Sequence, residues 1–388
     1  MSGTRQSRRR TGGMSARARG TALAGAVLLV ALIVAAVIVL PRWVGRSALP
    51  APAPSASPTA SVTPSAEPTP EPDDAAHRLL ATTDDPRACA ISFSGDDIAD
   101  EPVLRTQGLL YDELPIPHRE GSVFAGWYDT PEDAAALAIP GRINGSKEVA
   151  CTDRLRTVYA AWTTPEADAA ENAEVPILMY HQFTTKPEGE DNWLRGNYVY
   201  IGDWEAHLHY IAEQGFYLPT WDELSAYIDG DLFLPRHSVI VTDDDADSSW
   251  LELAVPIVEK EKVLTTSFVI TINGAGPDLT PYVLKRSHTH DMHSAGENGQ
   301  GRIVNWSLEQ IVADLETSAQ VLGGVKEVVA YPYGHYNDTA KQGVADAGFD
   351  MARTIEQGYV SIGSDKLALP CIRINYGMTV QDLAALIG

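Results

Sequence analysis

Cysteine is nearly absent from this chain: Cys89, Cys151 and Cys371 are the only three in 388 residues. That is too few for a cysteine-based zinc site, and an odd number leaves at least one thiol unpaired in an oxidising compartment. Cys89 and Cys151 bracket one short stretch and are the pair expected to bond, with Cys371 left as a buried free thiol. Basic residues are scarce beyond the N-terminus. Positions 1–46 hold eight arginines and no acid, which leaves 21 basic against 52 acidic side chains, a net of −31, for the rest. So acidic a surface argues against nucleic acid as a partner and is compatible with cationic or neutral ligands. No internal repeat is found.

Long apolar runs are also missing, with one exception. Gly20 to Leu40 is 21 residues without a charge, and about 20 suffice to cross the hydrocarbon core of a bilayer. A cleavable signal peptide would have a shorter apolar core followed by small residues. Here Pro41-Arg42-Trp43 follows, so an uncleaved transmembrane helix over residues 20–41 is expected. Six arginines precede the run and two follow it, which orients the basic tip (residues 1–19) toward the cytoplasm and the remainder outside. Residues 42–85 are dominated by the Pro-, Ala-, Ser- and Thr-rich stretch Ser47 to Asp74. With little to bury, they read as a disordered spacer.

What is present beyond the spacer falls into two blocks. Residues 86–163 carry short β-patterned segments ("ACAISFS", "SVFAGWYD", "RTVYAAW") separated by turn-forming residues. A polar linker, residues 164–174, leads to a larger block at 175–388 in which strand and helix patterns alternate. "VPILMYH", "SVIVT", "TSFVIT", "KEVVAYP" and "DMARTI" read as strands. Between them lie helices: Asp203 can cap "WEAHLHYIAEQ", while Thr220 with Glu223 and Ser307 with Gln310 form capping boxes. The helix pattern "LELAVPIVEKE" contains Pro256. Such alternation specifies an α/β fold with a parallel sheet, open or closed into a barrel.

In folds of this kind ligands gather at the carboxyl ends of the strands. Asp243, Asp244 and Asp245 follow "SVIVT" directly, and three adjacent carboxylates repel one another unless a cation or shared proton intervenes. His288, His290 and His293 lie within six residues of one another in "SHTHDMHS". Aspartate and histidine together suit a divalent metal that activates water. On residue types alone, two unrelated polar loops explain the pattern equally well.

"VPILMYHQF", "VTDDDADSS", "SHTHDMH", "VVAYPYGHYN" and "LPCIRINYGMT" occur in the order of the NodB-homology polysaccharide deacetylases (carbohydrate esterase family four), and residues 175–388 resemble that family throughout. The resemblance implies a distorted barrel of the (β/α)7 type and a hydrolase that removes N-acetyl groups from N-acetylglucosamine polysaccharide at a cell surface. "HTHDMH" is similar to the subgroup acting on poly-N-acetylglucosamine. By position, Asp244 matches the catalytic base, and Asp245, His288 and His293 match the ligands of a divalent metal, most often zinc; His290 is the non-ligand. Tyr333 matches the backbone donor to the oxyanion, and Pro332 shapes the groove. His181 is assigned as general acid, with a structural histidine as the alternative. Arg373 is a candidate to orient Asp244, against a surface ion pair. Trp306 and Tyr333 are candidate sugar platforms, or core.

Two positions depart from the family pattern T-F-D-D-G. Asp243 stands where an apolar residue is usual, and Ala246 replaces a glycine, which strains the turn if φ is positive there. A register with Asp243 as base and Asp244 as ligand is the alternative assignment. The substitutions motivate a second functional reading, a glycan-binding protein that has lost turnover; O-acetyl ester hydrolysis is a third. Residues 86–163, through Gly126, Trp127, Tyr128, Tyr159 and Trp162, resemble the internalin B-type repeat, a small β-grasp module of bacterial surface proteins, which implies a spacer or adhesive role.

Overall fold

The computed structural model of the protein describes residues 74–388. The basic tip, the Gly20–Leu40 run and most of the spacer lie outside the described residues. Among those described, no helix is long and apolar enough to cross a membrane.

The spacer ends earlier than its composition suggests. Asp74 caps helix α1 (Ala75–Leu80), accepting from the His77 amide, and Ala76 and Leu80 bury against Ala88 and Ala90. A one-turn apolar pair is enough to dock this segment once a sheet is there to receive it. The small block contains strands β1 (Ala88–Ser94), β2 (Val103–Thr106), β3 (Val123–Tyr128), β4 (Arg142–Ile143) and β5 (Leu155–Thr163), and helix α2 (Pro131–Ala136). The sheet order is β2-β1-β5-β3-β4, with β1 and β5 parallel at its centre. Phe93, Phe124, Trp127 and Trp162 pack against one another inside it. Cys89 and Cys151 are disulfide-bonded, and Cys371 is free and buried.

The polar linker is not featureless either. Thr164 caps α3 (Pro165–Glu171), which has proline and acids in its first turn, the arrangement that starts a helix. Beyond it come β6 (Ile177–Tyr180), β7 (Gln182–Thr184), β8 (Tyr198–Tyr200), α4 (Ile201–Glu213), α5 (Trp221–Asp229), β9 (Ile240–Asp245), α6 (Val255–Glu261), β10 (Thr265–Val269) and β11 (Val283–Ser287). They are followed by α7 (Leu308–Val321), β12 (Val328–Ala330), α8 (Asp338–Asp346), β13 (Met351–Gln357), β14 (Leu369–Arg373) and α9 (Val380–Ile387). Both expected capping boxes form, at the starts of α5 and α7. Asp203 does not cap; α4 begins at Ile201 and places Asp203 in its first turn, where the helix dipole still favours a carboxylate. A π-helical turn, Trp250–Ala254, precedes α6, so Pro256 falls in that helix's first turn and interrupts no hydrogen bond.

Seven strands close into a barrel in the order β10-β11-β12-β13-β14-β6-β9, every pair parallel. Strand alternation sorts their side chains into two layers. Ile177, Met179, Ile240, Phe268, Ala330, Met351 and Cys371 fill the interior. Leu178, Tyr180, Val241 and Ile372 face outward, under Trp204, Leu208, Trp250 and Val258. The small sheet is docked on the barrel, and its core is continuous with the barrel interior. The Phe124 amide donates to the Asp231 carbonyl at 3.0 Å and the Phe233 amide to that of Phe124 at 2.8 Å. Arg142, fully buried, donates to the Phe233 carbonyl at 2.9 Å, lies 4.0 Å from the Glu223 carboxylate and stacks on Tyr217.

Candidate active site

The three aspartates end β9, at the carboxyl mouth of the barrel, and they go different ways. Asp243 pairs in register with Ser267 on the outer face of the wall. Its carboxylate accepts from Ser267 Oγ at 3.3 Å, its other oxygen has no partner, and burial together with the neighbouring acids raises its pKa well above the usual range. A neutral acid costs far less in such surroundings than an anion would. Asp244 faces inward, where it meets Arg353 and His181. Asp245 turns toward the histidine loop, with φ of 80°, and Ala246 follows at φ 52°. The glycine position therefore does need the left-handed region, and alanine holds it at a cost of order 1 kcal/mol. Because Asp243 points away from the other groups, the register with Asp244 innermost is the one that brings an acid and a ligand set together.

His288 lies just past the end of β11. Its Nδ1 donates to the Ala330 carbonyl at 2.9 Å, which aims Nε2 at Asp245, 3.4 Å away. His293 Nε2 lies 3.2 Å from the same Asp245 oxygen. The loop that carries both is pinned from α7, where the buried Asp314 carboxylate accepts from the amides of His290 and Asp291 at 2.8 and 2.7 Å. His290 itself turns aside to Thr271 Oγ1, at 3.1 Å. One atom each from Asp245, His288 and His293 falls within 4.8 Å of the others. Charge favours a cation among them. Burial works against ionisation of Asp245, but His288 and His293 outweigh it and depress its carboxyl. Burial and the neighbouring His288 lower His293 to about 4, while Asp245 and Asp244 overcome burial and raise His288. With His288 Nδ1 turned to the Ala330 carbonyl, a divalent ion would find one ligand atom from each of the three side chains already converging there. One Asp245 oxygen is buried without a hydrogen bond, as an oxygen kept for a metal would be.

Asp244 is 3% exposed. Burial pushes its pKa up, but the Arg353 guanidinium, then His181 and His288, hold it below the usual carboxylate range. Arg353 is fully buried in β13. It bonds the Asp244 carboxylate and the Thr354 carbonyl and lies over the Phe268 ring. The sequence offers Arg373 as a candidate for this role, against a surface ion pair, but it is Arg353 that the structure places against Asp244. Arg373 sits at the end of β14 and donates to Asn197 Oδ1 at 2.5 Å. Arg353 was overlooked because "DMARTI" reads as an ordinary strand. The available signal was a lone arginine in an apolar strand bound for a barrel interior, where it needs an acid to face.

His181 Nε2 lies 3.8 Å from Asp244 Oδ2, and burial keeps its pKa below the ordinary value despite the two acids beside it. Pro332 is buried, and Tyr333 after it takes φ 58°, strained for a non-glycine residue and so held there by its surroundings. Its ring is 4.4 Å from that of His293 and 45% exposed, so it presents a face at the mouth. Trp306 is not such a face. It is half-buried beside the cluster of Met292, Ile303 and Ile311, with Arg302 near its ring, and belongs to packing under α7.

Residues 234–352 match the family model described as polysaccharide deacetylase. Over 161 residues the chain is 29% identical to the poly-beta-1,6-N-acetyl-D-glucosamine N-deacetylase of Staphylococcus aureus, an alignment that covers 36% of this chain and 56% of that protein. Among solved structures, the deacetylase PplD of Streptococcus pyogenes in complex with acetate aligns at 23% identity with a TM-score of 0.48, over 56% of this chain and 99% of its own. IcaB of Ammonifex degensii aligns at 19% identity with a TM-score of 0.47, over 55% and 96%. Residues 234–352, which hold Asp244, Asp245, His288 and His293, match a polysaccharide deacetylase domain, and the chain spans little more than half the length of the curated relatives it matches.

Proposed function

We propose that the protein hydrolyses the N-acetyl groups of an N-acetylglucosamine polysaccharide, releasing acetate and leaving free amines. The observation that carries this reading is the pairing of Asp244, buried and fixed by Arg353, with the ligand set Asp245, His288 and His293 beside it. A divalent ion, zinc on the preference of a histidine-rich set, would supply Lewis acidity toward the acetyl carbonyl and a more acidic water at that point. The chain's own groups do the rest. Asp244, ionised because of Arg353, takes a proton from the attacking water. The backbone N–H of Tyr333 donates to the oxygen that becomes negative. The proton on Asp244 passes to His181, whose ring burial keeps neutral and receptive, and from there to the departing nitrogen. Water, amide, acetate and amine then balance.

The relative from Staphylococcus aureus supports a β-1,6-linked substrate. The uncharged run Gly20–Leu40 is long enough to anchor the chain with the catalytic block outside the cell, and such an anchor, with the small sheet as a spacer, would fit a substrate on the cell surface. The test is acetate release from β-1,6- and β-1,4-linked N-acetylglucosamine oligomers and from O-acetylated xylan, with and without chelator. Chelator-sensitive release from an N-acetyl oligomer, lost in Asp245→Ala together with metal binding, is the expected result. Release from the ester alone would move the reading to esterase, and no release at all to a glycan-binding protein.

A further inference from the structure

Trp193 is 89% exposed, far more than any other large apolar side chain among the described residues. Trp127, Trp204, Trp221 and Trp250 are buried. Its exposure is not that of a loose loop. Residues 185–197 run between β7 and β8, and β7 follows directly on His181. The Tyr376 hydroxyl donates to the Pro187 carbonyl at 2.6 Å, and Arg195 lies 4.4 Å from the Tyr376 ring while donating to the Glu188 and Glu190 carbonyls. Lys186 pairs with Glu190 at 2.6 Å, and Leu194 N donates to Asn192 Oδ1 at 2.8 Å. Gly189, at φ +82°, is where the loop presses on Tyr376; an added Cβ would come within 2.7 Å of that ring. The loop's far end is fastened to the barrel mouth by the Asn197–Arg373 bond. All of this holds the backbone, and nothing covers the indole.

The place of the loop gives the exposure a use. It rises beside β6, while the exposed Tyr333 rises beyond β12, and the closed strand order puts these strands on opposite sides of the mouth. The reacting groups lie between them. A flat apolar face suits the C–H face of a pyranose ring. The exposed Glu188 and Asp191 on the same loop suit the ammonium groups of sugars already deacetylated.

We propose that Trp193 is a specificity-determining contact that stacks on a sugar ring remote from the one being deacetylated, so that the protein ranks substrates by chain length. The proposal rests on the deacetylase reading for its substrate. Covering one indole face buries roughly 55 Å² of apolar surface, which corresponds to about tenfold in affinity.

The test is steady-state acetate release by metal-loaded protein from β-1,6-linked N-acetylglucosamine di-, tetra- and hexasaccharide, comparing wild type with Trp193→Ala and Trp193→Phe. Trp193→Ala should raise KM about tenfold for the hexasaccharide, leave kcat and the disaccharide KM unchanged, and be largely rescued by phenylalanine. An equal effect at all lengths, or none, overturns the proposal. If wild type releases no acetate, the deacetylase reading fails separately. Titration of indole fluorescence with the same hexasaccharide then decides: a change lost in Trp193→Ala sustains the contact, and an identical titration in both refutes it.

Discussion

Replacing Arg353 by methionine isolates the link between the buried ion pair and the chemistry. Methionine keeps much of the volume and removes the charge, so Asp244 is left as a buried acid without its main counter-ion. Breaking a buried pair this way costs about 3–5 kcal/mol if the remaining group stays charged. Asp244 can escape part of that cost by taking up a proton. At 1.36 kcal/mol per pKa unit, the penalty is equivalent to roughly 2–3.5 units. The carboxyl, held below its ordinary range by Arg353 in the wild type, would then rise, and the protonated fraction that cannot accept from water would grow. The assay is kcat/KM for acetate release between pH 5 and 9 with metal-loaded protein. The acid limb should move upward in Arg353→Met, with a loss that is greatest at the acid end and narrows as the pH rises. Arg353→Lys, which restores a charge, should return the limb most of the way. A limb that stays in place in Arg353→Met would show that Arg353 does not hold the base ionised.

Other substitutions test the supports of the site. Ala246→Gly should raise stability by about 0.5–1 kcal/mol in denaturant titration by relieving a left-handed alanine, and a destabilised variant would mean the methyl's packing outweighs the strain. Arg142→Ala should lower stability by about 3 kcal/mol, because it takes the facing guanidinium from the buried Glu223 and empties a packed site between the small sheet and the barrel; an unchanged midpoint would remove Arg142 as the anchor. Asp168, on α3, is raised to about 6, chiefly by burial and then by Glu171. A carboxyl raised on folding gives stability that is full below its unfolded value and lost as pH rises through the folded one, here between about pH 4 and 6. Asp168→Asn should therefore gain of order 1 kcal/mol at pH 8 and nothing at pH 3.5, and an equal effect at both would refute the burial argument.

Much of this architecture was legible because local signals agreed with the tertiary outcome. The capping boxes at Thr220 and Ser307 and the apolar runs of β6, β9 and β12 are consistent from residue to fold. So is the placement of Asp244 and Asp245 at the end of one strand and of His288 and His293 after the end of another. What was not legible depends on partners far away in sequence. Nothing local in "DMARTI" tells that Arg353 will face Asp244, 109 positions earlier. Nothing near Arg373 reveals that Asn197 will claim its guanidinium. Trp306 beside "GRIV" looks the same whether it lines a groove or, as here, packs beneath a helix. The α1 segment hid inside a spacer composition because six residues carry little pattern until a sheet receives them. Asp243 and Ala246, the two departures from the family pattern, are real structural features: one is a buried acid on the outer wall, the other a left-handed alanine, and neither displaces the groups around Asp244.

The most direct measurement is a paired one on Asp244→Asn: zinc binding by titration calorimetry, and acetate release from a β-1,6-linked N-acetylglucosamine hexasaccharide. Asparagine keeps the shape and cannot accept the proton. The variant should bind zinc with unchanged stoichiometry through Asp245, His288 and His293, and release acetate at least about 100-fold more slowly than wild type. Acetate release at the wild-type rate would contradict the assignment of Asp244 as the base.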